Sequence, residues 1–245
     1  MQISGNTVLI TGGATGIGLE LARALLAREN EVIICARRAE RLEEAKRELL
    51  RVHTRVADVS SATDRAALVE WIEQSFPRTN MLVNNAGVQH RVDLRSIDEL
   101  KKAEEEVAIN FIAPIYLTAM FLPQLMRQPS AAVVNVSSGL AFSPLAYMPV
   151  YCATKAAVHS MTMSLRHQLR DTNVRVFEVI PPLVKSELGS YHRPPEMNRI
   201  AMPTEAAIEE MLAGFERDEY EIAVGEAANS RAKREAMFDV MNARR

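Results

Sequence analysis

Short β-branched runs alternate with longer helical stretches along almost the whole chain, and this alternation limits the fold more than any other feature. Apolar runs at 7–11, 31–36, 54–58, 81–84, 131–137, 174–180 and 220–224 read as strands. Helical spacing fills 18–29, 39–51, 62–76, a long stretch ending near Met126, 150–170 and a stretch from about Thr204. Strand and helix in regular turn predict an α/β protein with a mainly parallel seven-stranded sheet and helices on both faces. No linker, repeat or low-complexity stretch interrupts the pattern, so residues 1–245 are expected to form one domain with a helical tail at 226–245.

The 29 basic and 31 acidic residues nearly cancel, which argues against a general nucleic-acid or anionic-membrane binder. Their distribution is uneven. From Val107 to Thr154 the only charged residue is Arg127, expected to cap the end of its helix, and there is no histidine. Membrane is the weakest explanation. The apolar part, 111–126, is shorter than the ~20 residues of a span and holds Pro114 and Pro123. Buried core around a site kept dry fits better. The polar Met1-to-Asn6 start carries no secretory pattern, and Cys35 and Cys152 give neither a disulfide framework nor metal spacing. With no ligand pattern among the histidines either, a cytoplasmic, metal-free protein is expected.

Two regions carry chemistry. The first strand runs into Thr11-Gly12-Gly13-Ala14-Thr15-Gly16-Ile17-Gly18 and then a helix. Glycines there let backbone approach a pyrophosphate, and the helix N-terminus supplies free N–H groups. A tight turn alone would explain the glycines, but their place between first strand and first helix favours a cofactor. The second region is Tyr151-Cys-Ala-Thr-Lys155, whose phenol and ammonium share one helix face. A free phenol titrates near ~10, and a nearby cation lowers that value. A surface pair is the alternative, weakened because Lys155 is the first charge after 27 uncharged residues. Ser137-Ser138 follows the fifth strand, where strand ends face a ligand crevice. Asn110, a weak helix former inside an apolar run, either kinks its helix with a structural hydrogen bond or serves a site.

In this order the motifs resemble the short-chain dehydrogenase/reductase family, over residues 1 to about 188. The glycine spacing G-x-x-x-G-x-G, Asn84-Asn85-Ala86-Gly87 and the Tyr-x-x-x-Lys pair carry the resemblance. It implies a doubly wound Rossmann domain and a catalytic set of Asn110, Ser138, Tyr151 and Lys155. Ser138 stands at the family's spacing to the tyrosine, with Ser137 the competing assignment. Cofactor contacts are implied at Gly12, Thr15, Gly16, Ile17, Gly18, Asp58, Val59, Asn85, Ala86, Gly87, Tyr151 and Lys155. Val184 and Ser186 are implied by similarity of Pro181-Pro182-Leu183-Val184-Lys185-Ser186 to a nicotinamide-gripping segment. Pro182 departs from the family's glycine there, removing an N–H.

At the end of the second strand Ala36 stands where the family's NAD users carry Asp, and Arg37-Arg38 follow. Arginine forks suit a 2′-phosphate, so NADP(H) is the preferred cofactor and NAD(H) the alternative. The competing reading has both arginines merely solvating the next helix. The expected activity interconverts a small-molecule carbonyl and an alcohol, with Tyr151 as acid/base. A non-catalytic NADP(H) sensor or scaffold on the same fold is the rival. An epimerase or dehydratase fits less well, having different glycine spacing and a longer substrate domain. Gly139-Leu-Ala-Phe with Tyr-Cys-Ala-Thr-Lys-Ala-Ala-Val further resembles the DltE-like subgroup. The segment 187–202 is expected to cover the substrate, with Leu140, Phe142, Leu145 and Met148 on an apolar side of the cleft. Cys152 reads as a packed thiol, and His90 either lines the pocket or faces solvent. The resemblance also implies a homodimer or homotetramer, built on the helices through Phe111, Tyr116 and Phe121 and after Tyr151.

Overall fold

A computed structural model describes residues 1–189 and 195–243. Its strands are β1 (Thr7–Thr11), β2 (Glu31–Ala36), β3 (His53–Val56), β4 (Met81–Asn84), β5 (Ala131–Val136), β6 (Val174–Ile180) and β7 (Glu221–Ala223). They form one sheet in the order β3-β2-β1-β4-β5-β6-β7, and every pairing is parallel. The helices are α1 (Gly16–Leu26), α2 (Ala39–Glu48), α3 (Ala62–Ser75), α4 (Leu100–Val107), α5 (Ala113–Met126), α6 (Pro149–Gln168), α7 (Pro195–Ile200), α8 (Thr204–Glu216), α9 (Ala227–Lys233) and α10 (Phe238–Asn242).

Continuous apolar strands suit a sheet buried on both faces, because successive side chains point to opposite sides. Val8, Ile10, Val32, Ile34, Val134 and Phe177 enter one core, with Leu21 and Leu25 of α1 and Ile208, Met211 and Phe215 of α8. Their neighbours Leu9, Ile33, Leu82, Val133 and Val176 enter the other, with Leu68 and Ile72 of α3 and Leu117, Phe121 and Leu125 of α5. The edge strand β3 is largely exposed and polar.

Two departures from the sequence reading have local causes. β3 ends at Val56 rather than at Asp58, because the Asp58 carboxylate turns the chain by accepting hydrogen bonds from the Ser60 N–H at 2.9 Å and hydroxyl at 2.7 Å. The long helix is continuous from α4 to α5 but contains a π-turn, Ala108–Ile112. Pro114 brings no N–H to the Asn110 carbonyl four residues back, so the regular ladder breaks there. From Ile97 to Met126 this stretch is long and apolar enough to cross a membrane, more than the 111–126 part suggested. Its inner face is packed in the second core through Ile109, Ala113, Leu117, Phe121 and Leu125.

The tail folds back on its own chain. Asn242 accepts a hydrogen bond from the Ala146 N–H at 2.6 Å and donates to the Pro144 carbonyl at 2.9 Å, and Met241 packs on the cluster of Leu145, Met148, Tyr151 and Cys152. The two ends of segment 187–202 are tied together: Lys185 N–H donates to Met202 O and Met202 N–H to Leu183 O, both at 2.9 Å. Its Tyr191, His192, Arg193 and Pro194 lie outside the described residues.

Phe177 tests the packing. It is fully buried, edge-on to Phe215 at 5.3 Å and stacked on Tyr220 at 5.2 Å. Phe177→Ala is expected to lower unfolding stability by about 3–5 kcal/mol in urea titration. A loss below about 1 kcal/mol would contradict this packing.

Candidate active site

Where the strand order reverses between β1 and β4, the carboxyl ends of the strands open onto a cleft of about 240 Å³. Gly12, Thr15, Gly16, Ile17, Arg37, Arg38, Asp58, Val59, Asn85, Ala86, Gly87, Tyr151, Lys155 and Ser186 all line it. Gly18 and Val184 do not. Gly18 is buried in the turn, where a Cβ would fall 2.5 Å from Asn85 Nδ2 and from Gly12 O. Val184 is buried in a bridge with Met202. Gly18 therefore supports the turn from behind, and Val184 is placed by its backbone pairing with the returning chain.

The glycine turn fits a dinucleotide. Gly12 sits at φ +65°, and a Cβ there would lie 2.8 Å from Ala86 Cα, so only glycine leaves this wall open. Thr15 precedes α1 without capping it, and the first N–H groups of α1 are left for an anion. Asn85 locks the turn: its side-chain amide donates to Thr11 O at 2.9 Å and Gly12 O at 3.2 Å. The Thr11 hydroxyl in turn accepts the Asn85 and Ala86 N–H groups, both at 3.0 Å. Asn85 thus acts by holding the turn.

Tyr151 and Lys155 sit in the first half of α6, both about 4% exposed. Lys155 Nζ donates to the Val136 carbonyl at 2.8 Å and lies 5.8 Å from the Tyr151 ring centroid. The Ser138 hydroxyl is within hydrogen-bonding reach of the phenol and also accepts the Leu140 N–H at 3.1 Å. Ser137 points elsewhere, donating to the buried Glu178 carboxylate. Ser138 is thus the serine beside the phenol. Burial raises the Tyr151 phenol above its ordinary value, against the pull of Ser138, and burial pushes Lys155 down to about 8. On the chain alone, desolvation outweighs the lowering of the phenol expected from the Lys155 charge.

Asn110 does not reach Lys155 with its side chain. Its amide accepts the Val88 N–H at 2.8 Å and donates to Val88 O at 2.9 Å and Thr154 Oγ1 at 3.2 Å. It clamps the loop that follows Gly87 onto α6. One turn earlier Glu106, fully buried, accepts the His90 N–H at 2.6 Å, while its second oxygen meets no donor in hydrogen-bond geometry. Burial pushes its carboxyl up to about 7. Glu106 ends the charged part of α4 in sequence, and nothing there marks it as the residue turned inward. His90 itself is partly buried and pairs with Glu105 at 2.9 Å.

A buried polar ladder, also missed in sequence, sets the register of α6. Asn84 donates to Asn135 Oδ1 and Asn135 to Thr162 Oγ1, each at 2.9 Å. The other singled-out residues are structural. Burial pushes the Cys152 thiol up to about 11, and Phe142 packs with Ile180 and Ala227, away from the Leu145 and Met148 cluster. Arg127 caps α5 and pairs with Glu73 at 3.5 Å. Among the described residues, ligand atoms of His159, Glu178 and Glu221 lie within 4.8 Å of one another. They are engaged already: Glu178 bonds Ser137 and His159, and Arg231 pairs with Glu221 at 2.6 Å.

Glu106 gives a pH test. An unfolded glutamate titrates near ~4.3, so between there and about 7 the unfolded state releases the proton first and native stability falls as pH rises. For a shift of this size the loss is on the order of 3 kcal/mol. Urea unfolding at pH 5 and pH 7.5 is expected to show this decline in wild type and a smaller one in Glu106→Gln. Equal declines in both proteins would contradict the assignment.

Residues 6–196 match the short chain dehydrogenase family. The chain is 46% identical to an uncharacterized oxidoreductase, DltE, of Bacillus subtilis (strain 168), over 99% of this chain and 98% of that one. A short chain dehydrogenase from Burkholderia cenocepacia J2315, solved in complex with NADP, superposes with a TM-score of 0.82 at 27% identity, covering 95% of this chain and 93% of that one. A short chain dehydrogenase/reductase from Burkholderia phymatum, solved with NAD, shares the fold with a TM-score of 0.84 at 20% identity, covering 94% and 93%. With its parallel sheet, glycine turn and Ser138–Tyr151–Lys155 cluster, this chain belongs to the short-chain dehydrogenase family of oxidoreductases and groups there with DltE.

Proposed function

We propose that the protein is an NADP(H)-preferring oxidoreductase that interconverts a carbonyl and an alcohol, with Tyr151 as acid/base. The observation that carries this reading is the convergence of Ser138, Tyr151 and Lys155 beside the cleft that the glycine turn opens. The α1 N-terminus and the turn after β1 would hold the pyrophosphate, and Ser186 would meet the carboxamide. Asp58 and Val59 would flank the adenine. When bound, the nicotinamide supplies or accepts the hydride.

In reduction, the Ser138 hydroxyl donates to the substrate oxygen and Tyr151 gives that oxygen its phenolic proton. In oxidation the phenolate takes the proton back. Burial excludes water from the phenol, so the proton passes to the substrate rather than to solvent. Lys155 favours the phenolate: in a dry site its charge is weakly screened. Asn110 and Thr154 fix the wall beside Lys155 and so hold the ammonium's surroundings in one geometry. Arg37 and Arg38 at the cleft rim support the choice of NADP(H) through guanidinium contacts to a 2′-phosphate. Exposed Ile115, Tyr116 and Met163 on α5 and α6 support self-association through these helices.

A panel of aldehydes and ketones with NADPH tests the reading. At least one carbonyl is expected to be reduced, and Tyr151→Phe is expected to cut kcat/KM by roughly 10²–10⁴-fold with NADPH affinity retained. Near-wild-type turnover by Tyr151→Phe would overturn the role of the phenol. Tight NADPH binding with no carbonyl reduced across the panel would favour the sensor reading instead.

A further inference from the structure

Three arginines stand around the end of β2 and the start of α2, and carboxylates engage all of them. Arg37 Nη1 donates to Glu105 Oε1 at 2.7 Å, on the α4 side of the cleft. Arg38 and Arg41, one turn apart, face the other way and share a partner. Glu187 Oε2 accepts from Arg38 Nη2 at 3.2 Å, and Glu187 Oε1 accepts from Arg41 Nη2 at 2.7 Å. Arg41 Nη1 also donates to Glu44 Oε2 at 2.8 Å, a contact within α2.

Glu187 is distant in sequence from both of its arginines, yet its backbone is brought there by fixed structure. Lys185 N–H is tied to Met202 O and Ser186 N–H to Val184 O, both at 2.9 Å. Glu187, Arg37, Arg38, Ala36 and Ser186 line the same cleft. A carboxylate bridging two guanidiniums uses the charge and the paired acceptor oxygens with which a phosphate monoester would bind them.

We propose that Glu187 is a specificity-determining residue whose carboxylate occupies, on Arg38 and Arg41, the seat a 2′-phosphate would take. It lowers the preference for NADP(H) over NAD(H) by competing with that phosphate. Arg41, which the sequence reading did not single out, becomes a second phosphate-facing arginine beside Arg38 once Glu187 is displaced. The proposal rests on the reading that Arg38 meets the 2′-phosphate. NAD(H), lacking that group, has no reason to displace Glu187, so the effect falls on one cofactor only. An ordinary exposed ion pair would contribute little and would not discriminate between the two cofactors.

Fluorescence titrations of NADPH and NADH against wild type, Glu187→Gln, Glu44→Gln and Arg38→Ala test this. Glu187→Gln is expected to tighten NADPH by about fivefold, the size of one unit charge at ~4 Å in high dielectric, with NADH changed by less than about twofold. The gain should shrink as salt rises. Glu44→Gln removes a carboxylate from the same Arg41 outside the cleft and is expected to move neither cofactor by more than about twofold. Arg38→Ala is expected to weaken NADPH by roughly tenfold. Weakening by Arg38→Ala with no tightening by Glu187→Gln overturns the Glu187 proposal and leaves the cofactor reading intact. NADPH affinity unchanged in Arg38→Ala overturns the cofactor reading, and the role of Glu187 with it. Equal tightening of both cofactors by Glu187→Gln, or the same gain from Glu44→Gln, shows a general field effect and overturns the proposal.

Discussion

A fully desolvated ammonium, that of Lys155, is the constraint around which the rest of the structure is arranged. Taking Lys155 out of water is costly, and its surroundings show how that cost is contained. One hydrogen bond, to the Val136 carbonyl at the end of β5, anchors the head group. The stretch from Val107 to Thr154, charged only at Arg127, supplies Ile109 and Val136 beside it, so few other charges screen Lys155 from the phenol four residues earlier. The same dryness raises Tyr151 and lowers Lys155. Each group is therefore displaced toward its neutral form, and the ionised pair is favoured only when both charges appear together.

Such a pair works only if α6 is held in register with β5. The Asn84–Asn135–Thr162 ladder provides this, because its buried amides have partners in only one alignment. Asn110 repeats the device about two turns earlier on α6, joining Thr154 to the loop after Gly87. Asn85 does the same for the glycine turn. Side-chain amides thus fix three elements around one cleft.

The architecture was legible because its signals are local. Strand runs, the glycine turn and the Tyr151/Lys155 spacing each specify their own backbone, and one parallel sheet accommodates them all. What was not legible depended on long-range partners. Nothing in Glu104-Glu105-Glu106 says that Glu105 meets Arg37 and His90 while Glu106 is buried. The pairing of Arg38 and Arg41 with Glu187 joins residues almost 150 positions apart. Asn110 was marked by its poor helix propensity, which does reflect the π-turn, but its partner Val88 was not foreseeable. Val184 is another case: its backbone bridges the returning chain at Met202, a partner that no local signal in its segment gives.

The central claim is that the charge of Lys155 favours the ionisation of Tyr151 in the working site. A ¹³C NMR titration of Cζ-labelled tyrosine, with the Tyr151 signal assigned from Tyr151→Phe, measures this directly in the NADP⁺ complexes of wild type and Lys155→Met, the state in which the proposed proton transfer occurs. The account predicts that the Tyr151 phenol ionises about one pH unit or more higher once the ammonium is gone. Superimposable titration curves for the two proteins would contradict it.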